Sequence, residues 1–281
     1  MFEFLSYSFG IRALIGGLAV AFACSILGVF LVLRRLSLIA DGLGHVAFGG
    51  IALGFYLNIY PIYTAMASVI VGAFGISYIK QFNVYSDAAI GIFESIGLAV
   101  GVVIVSLALS QPSTLFSYLF GTILGLSNND VLLALILSSV VGISLFALWK
   151  ELISITVDND FSRVAGLPVD SLEFVFTLLT GITVVLAVKL IGVLLVSSMI
   201  IIPASAAIQL KREIKQTFLF SILFALLSVI IGLQLSFSYN LAPGGIIVLV
   251  SIIFLLLSVV VNRLKPNTQK SFSISSWKHS D

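Results

Sequence analysis

The chain has 281 residues, of which 60% are hydrophobic and only 9% are charged, and its mean hydropathy is +1.22. A soluble domain is about a quarter charged, and no soluble fold of this size buries so much apolar surface, so the composition excludes an ordinary soluble protein. The net charge of +2 is small, and no basic stripe lies on a polar domain, which argues against a nucleic-acid partner. With Cys24 as its single cysteine, the chain has neither intrachain disulfides nor thiolate clusters.

Apolar segments long enough to cross a bilayer follow one another along the chain. About 20 apolar residues span roughly 30 Å of hydrocarbon. Segments of about this length lie near 12–33, 37–57, 61–79, 89–109, 131–149, 172–189, 191–209, 217–236 and 244–262. Only a few residues separate the sixth segment from the seventh, so eight and nine spans are both consistent with the pattern, and nine is preferred. The predicted fold class is all-α, a polytopic transmembrane helical bundle of 8–9 spanning helices.

The remaining segments complete the predicted organisation. Residues 112–127 are apolar but short and interrupted by glycine, which predicts a surface or re-entrant piece. Residues 1–264 are expected to form a single transmembrane domain. The tail, 265–281, is rich in Ser and Lys and has no periodicity, which predicts disorder.

Basic residues predict the orientation, because cytoplasmic loops carry an excess of Lys and Arg. With nine spans and the amino terminus outside, all 14 Lys and Arg residues except Arg12 and Lys189 fall on the inner side, and the carboxyl terminus is inside. Lys189 ends a span and is expected to snorkel to the outer interface. Asp130 precedes an apolar run and is expected to cap its helix.

The second span contains the most specific chemical signal, the pair Asp41 and His45. Four residues apart, they share one face of a helix, about 9 and 15 Å beyond Arg35, which marks the inner interface. Charged residues within spans are costly and usually functional, and carboxylate plus imidazole is a ligand pair for zinc and related ions. Two ligands are too few for a tetrahedral ion, which favours a symmetric dimer. A hydrogen bond that only stabilises the bundle is the alternative.

Two other residues within spans are less specific. Glu94 lies about one and a half turns from the expected inner surface, so snorkelling to the interface is preferred to a role in the pathway. Pro203 lies inside a span, where it frees a backbone carbonyl and is expected to act as a static kink or as a gate element.

The longest inner loop, about 150–171, is polar enough for water and carries helix signals. Asp160 is expected to cap a short helix that Gly166 ends. Because a long structured loop is more often functional than a plain connector, this helix is predicted to lie on the cytoplasmic surface and to dock on a partner. Phe161 is the expected apolar anchor, and Arg163 is expected to pair with an acidic residue of that partner.

Five segments together resemble the permease subunit of bacterial zinc and manganese ABC importers. In chain order they are RRLSLIADGLGH, SYLFGTILGLSNNDV, ISITVDNDFSRVAGL, KLIGVLLVSSMIIIPASAA and LAPGGIIVL. The match runs over most of the chain, and the combination is specific although each piece alone is weak. The YLFG and IIPA pieces are more similar to the zinc branch of this family than to the manganese branch.

The resemblance implies an importer-type ABC permease of the bacterial cytoplasmic membrane. It implies a homodimer, two cytoplasmic ATPase subunits and an extracytoplasmic metal-binding protein. It assigns the intramembrane metal site to Asp41 and His45 and the ATPase coupling helix to Asp160–Gly166. Zn²⁺ is then the expected cargo, with Mn²⁺ or iron carried by the same machinery as the alternative, and no cofactor is expected to stay bound.

Two other functions are weighed against this one. A secondary transporter driven by an ion gradient usually has inverted repeats and several intramembrane charges, and the sequence shows no repeat. An intramembrane metalloenzyme needs about three protein ligands and a base, and the chain has no HExxH motif and only two histidines. The chain also has no GxxxxGK[ST] loop, so it is not expected to be an enzyme, and ATP hydrolysis would belong to a separate chain.

Overall fold

The structure is a computed structural model that describes residues 6–264 apart from 81, 83, 108–117, 122–125 and 211. The predicted tail and most of the predicted re-entrant piece lie outside the described residues. The helices of the described part are α1 (Ser8–Leu33), α2 (Leu38–Leu57), α3 (Pro61–Lys80), α4 (Ser86–Leu107), α5 (Asn128–Ala147), α6 (Trp149–Val157), α7 (Asn159–Val164), α8 (Val169–Ile191), α9 (Val193–Gln209), α10 (Ile214–Tyr239) and α11 (Pro243–Leu264).

The predicted spans are confirmed as helices. Eight of them, α1 to α5, α8, α10 and α11, are long and apolar enough to cross a membrane. The ninth, α9, is apolar but has 17 residues, about 25 Å at 1.5 Å per residue. Gly192 separates α8 from α9 with a φ of 92°, a left-handed conformation that favours glycine. The polytopic helical bundle of 8–9 spans is therefore the observed fold.

Helix ends follow local sequence signals. At the start of α5, Ser127 and Asp130 form a reciprocal capping box, which confirms the expected capping role of Asp130. At the end of α1, Arg35 takes a φ of 58°, and the Leu36 amide donates to the carbonyl of Leu31 at 2.8 Å. This six-to-one hydrogen bond fixes a tight turn into α2.

The core lies among α1, α2 and α8, whose spanning segments are mostly buried. The outer faces of α3, α4 and α5 expose large apolar side chains, as expected for surfaces in contact with lipid or with another membrane chain. Helix α4 packs mainly against α2 and, to a smaller extent, α3, so it lies at the periphery of the bundle.

A buried ion pair lies at the end of the bundle opposite α7, and it corrects the prediction for Lys189. Its Nζ lies 2.6 Å from Oδ2 of Asp130, and the two side chains are 16% and 3% exposed. Tyr60 also donates its hydroxyl to Asp130. Lys189 therefore turns into the bundle instead of snorkelling, because a carboxylate is within its reach there.

Candidate functional site

Helices α2 and α4 run in the same direction and touch through glycine. A Cβ atom added at Gly49 would lie 2.7 Å from the carbonyl oxygen of Gly97, and one added at Gly97 would lie 2.6 Å from that of His45. Only glycine allows the two backbones to come this close. Gly49 of the second span therefore serves helix packing.

This packing brings Glu94, one turn before Gly97, beside the predicted ligand pair. Asp41, His45 and Glu94 each offer one ligand atom, and these atoms lie within 4.8 Å of one another. The Nε2 atom of His45 is 3.9 Å from Oε1 of Glu94. Glu94 therefore does not turn to the interface as predicted, because the close approach of α4 to α2 turns its carboxylate towards His45.

The cluster has the chemistry of a cation site. Two carboxylates and one imidazole are ligands for zinc, manganese and other divalent ions of the first transition row. Within the described residues, the Asp41 side chain makes no hydrogen bond, and the buried Nδ1 atom of His45 has no partner. One chain thus offers three ligand-type side chains, one more than the pair singled out by the sequence, so the ligand count alone does not require a dimer.

The predicted loop helix is present as α7, with a different cap. The Asp158 carboxylate accepts a hydrogen bond from the Phe161 amide at 2.9 Å. Asp158 has the extended backbone that an N-cap requires, whereas Asp160 already lies in the first turn, so the predicted capping by Asp160 is wrong. Gly166 ends the turn after α7 with a φ of 87°, as expected of a stop residue.

The side chains of α7 divide into an apolar group and an ion pair. Phe161 and Val164 are 67% and 88% exposed, which makes an apolar surface at the end of the bundle. Arg163 donates two hydrogen bonds to the carboxylate of Asp170, the one from Nη1 at 2.9 Å. In this chain alone the partner of Arg163 is therefore Asp170 at the start of α8, because the turn at Gly166 folds α7 back onto that helix.

Pro203 lies inside α9, which continues as a helix from Val193 to Gln209, and its side chain is buried. The structure brings it into neither the ligand cluster nor the α7 surface. Its predicted role as a kink or gate element stays a prediction.

Glu94 is the ligand-type residue that sequence reasoning set aside. Its distance along the chain from His45 gives no sign of contact. The spacing of Gly97 and Gly101, four residues apart and one turn beyond Glu94, is a signal that favours close helix packing on this face.

These features define a multi-pass α-helical membrane protein with a cluster of metal-type ligands between two spanning helices. Residues 6–262 match the model of the ABC 3 transport family, and the chain belongs to this family of membrane permease subunits. The sequence resemblance to metal ABC importers is thereby confirmed.

The chain is 31% identical over 260 residues to the "High-affinity zinc uptake system membrane protein ZnuB" of Haemophilus influenzae, which covers 92% of this chain and 98% of that protein. It is 33% identical over 251 residues to the "Manganese transport system membrane protein MntC" of Listeria monocytogenes, which covers 89% of each. The fold matches a chain in the structure of "PsaBC from Streptococcus pneumoniae in complex with Fab" with a TM-score of 0.82 and 29% identity, covering 91% of this chain and 94% of that chain.

Proposed function

We propose that this chain is the membrane permease subunit of an ATP-driven importer of divalent metal ions, and that zinc is its cargo. The observation that carries the proposal is the cluster of Asp41, His45 and Glu94 between α2 and α4. Family membership supports metal transport, and the zinc and manganese relatives named above make manganese the second candidate.

The cluster suits a site that binds an ion briefly. Two carboxylates offset the charge of a dication, which lowers the cost of moving it through hydrocarbon. Zinc bonds of about 2.0–2.2 Å require ligand atoms roughly 3.4 Å apart, so the present atoms, within 4.8 Å of one another, would close in by up to about 1.4 Å around the ion. A site that must close to bind can also open to release, which transport requires.

The proposed orientation places α6 and α7 on the cytoplasmic side. Arg34, Lys80 and Lys150 lie at that end of the bundle, and the excess of basic residues in cytoplasmic segments supports this assignment. The amino terminus is then outside and the carboxyl terminus inside the bacterial cytoplasmic membrane, with residues 1–264 as one permease domain.

A separate cytoplasmic ATPase is the proposed partner of α7. Phe161 and Val164 offer an exposed apolar surface on a short helix whose ends are fixed by Asp158 and Gly166. Exposed apolar side chains on a rigid element are typical of a docking contact. The extracytoplasmic metal-binding protein that delivers the ion is proposed on the family resemblance.

A second copy of the chain is proposed to cover α4. Glu94 is 37% exposed and lies on a helix that packs mainly against α2, so in one chain the ligand cluster is open on its outer side. A carboxylate or a dication facing lipid is costly, and a protein wall on that side removes the cost. The homodimer thus closes the pathway.

The test compares uptake with stability in the same three variants, Asp41→Asn, His45→Ala and Glu94→Gln. Each is reconstituted in vesicles with its ATPase and supplied with an equimolar mixture of zinc, manganese and iron. We expect zinc uptake to fall at least tenfold in each variant, because a ligand is lost, with melting temperatures near that of the wild type.

Intact uptake with lower melting temperatures would show that the cluster has a structural role only. Preferential uptake of manganese by the wild type would show that manganese, not zinc, is the cargo. Uptake that continues without ATP and depends on an ion gradient would show that the chain is a secondary transporter and not an ABC permease.

A further inference from the structure

A buried ion pair at the α7 end of the bundle has no part in the ligand cluster. Nη2 of Arg34, the residue after α1, lies 2.6 Å from Oε1 of Glu173 in the first turns of α8. The Arg34 and Glu173 side chains are 6% and 27% exposed, and the guanidinium also lies over the ring of Phe176 at 5.4 Å from the centroid. A pair with this burial is screened much less than a surface pair, so a displacement of one partner is opposed by the other.

On one side, this ion pair reaches α7. Nδ2 of Asn159 lies 3.4 Å from the same Oε1 atom of Glu173 that Arg34 contacts. Asn159 is the first residue of α7, the helix that offers its apolar side chains to the ATPase. Through this long, exposed hydrogen bond, α7 contacts the Glu173 carboxylate.

On the other side, it reaches the ligand cluster through a stiff turn. The Arg34 and Leu36 amides donate to the carbonyls of Phe30 and Leu31 at 3.0 and 2.8 Å, so the turn after α1 is hydrogen-bonded. Helix α2 begins at Leu38, and Asp41 lies in its first turn. No flexible linker separates Arg34 from Asp41, so a displacement of the Arg34 backbone is carried into the start of α2.

We infer that Glu173 and Arg34 are positioning residues that couple ATPase docking at α7 to the geometry of the metal ligands on α2. The inference rests on the proposed function, since it needs an ATPase on α7 and a metal at the cluster. Coupling between two sites is reciprocal. Docking of the ATPase must therefore change the affinity for metal, and metal must change the affinity for the ATPase by the same factor.

The chain provides a matched control on the same two helices. Arg163 and Asp170 also join α7 to α8, and Asp170 lies one turn before Glu173. Their side chains are 49% and 79% exposed, and within the described residues this pair makes no hydrogen bond or ion pair to α1 or α2. Loss of this pair loosens α7 and leaves the contact between Arg34 and Glu173 in place, with Arg163 still in electrostatic contact with Glu173.

The experiment titrates Zn²⁺ by calorimetry into the full chain in lipid nanodiscs, with and without the ATPase that co-purifies with it. In the wild type we expect the ATPase to change zinc affinity by about fivefold or more. In Glu173→Gln and in Arg34→Met the change is expected to fall below about twofold, and the double variant should lose no more than either single one. Asp170→Asn should keep the change seen in the wild type.

Four outcomes would contradict this reasoning, each at a different point. A Glu173→Gln chain that keeps the full effect of the ATPase on zinc affinity refutes the inference, as does a lower melting temperature as its sole defect. A wild type that binds zinc with the same affinity in both states refutes the inference alone. A wild type that binds no zinc refutes the proposed function.

Discussion

The substitution Gly97→Ala adds a single atom, a Cβ, to the close contact between α2 and α4 and should push the two helices apart. The added Cβ would lie 2.6 Å from the carbonyl oxygen of His45 and 2.6 Å from the amide nitrogen of Val46, whereas ordinary contacts begin at 3.4 Å. Both neighbours are backbone atoms that cannot rotate away. Helix α4 must therefore shift by about 0.8 Å from α2, and Glu94, one turn earlier, moves with it.

The expected loss follows from this displacement. Overpacking of a close helix contact costs about 1–3 kcal/mol of folding stability. We expect zinc affinity to fall on the order of tenfold, about 1.4 kcal/mol, because a ligand carboxylate moves away while all three ligands remain. Calorimetric zinc titration of the chain in nanodiscs measures the affinity, and thermal unfolding measures the stability.

Gly91→Ala is the matched control on the same helix. A Cβ at Gly91 would meet nothing within 4 Å, so this variant should keep its zinc affinity and gain about 0.5–1 kcal/mol from helix propensity. Wild-type affinity in Gly97→Ala would refute the view that α4 holds Glu94 in the site. An equal loss in both variants would show a general effect on α4.

Two further substitutions test other parts of the structure. Lys189→Met leaves the Asp130 carboxylate, which is 3% exposed, with only the neutral donors of Tyr60 and Ser127. The free energy of unfolding should therefore fall by about 3 kcal/mol, the low end of the cost of breaking a buried ion pair. Denaturant unfolding measures this free energy, and Lys189→Arg should lower it less than Lys189→Met does. An unchanged free energy of unfolding in Lys189→Met would contradict the buried ion pair. Phe161→Asp should abolish co-purification of the ATPase with an unchanged melting temperature, because the side chain is 67% exposed, and an intact complex would exclude α7 as the docking helix.

The spans could be predicted from sequence because bilayer thickness fixes the length of an apolar helix. The predicted span 61–79 and the observed α3, Pro61–Lys80, differ by a single residue, since Pro61 marks the start and Lys80 the end. The first span is predicted less closely: its predicted start is residue 12, whereas α1 begins at Ser8. Arg12 interrupts the apolar run there, although a helix can carry one long basic side chain near its end.

Partners from distant helices could not be predicted. The sequence predicts the nearest interface for both Glu94 and Lys189, because a single sequence shows how far a charge lies from water and gives no sign of which carboxylate or imidazole lies beside it. The Asp130 partner of Lys189 is 59 residues away. The cap of α7 was misplaced for a local reason, since Asp158 and Asp160 are equally suitable by residue type and only the extended backbone at Asp158 decides between them.

The third ligand changes what a second copy of the chain would contribute. With Asp41 and His45 alone, a symmetric partner would complete the coordination of one ion shared at the twofold axis. With Glu94, each chain has a three-ligand cluster of its own, and the exposed side of α4 is what remains uncovered. In the proposed dimer the partner then supplies a wall that excludes lipid. Under the proposed function, metal affinity would then be set within one chain by the α2–α4 contact, whereas the openness of the pathway would be set between chains. Separate control of affinity and access is what an alternating transporter requires.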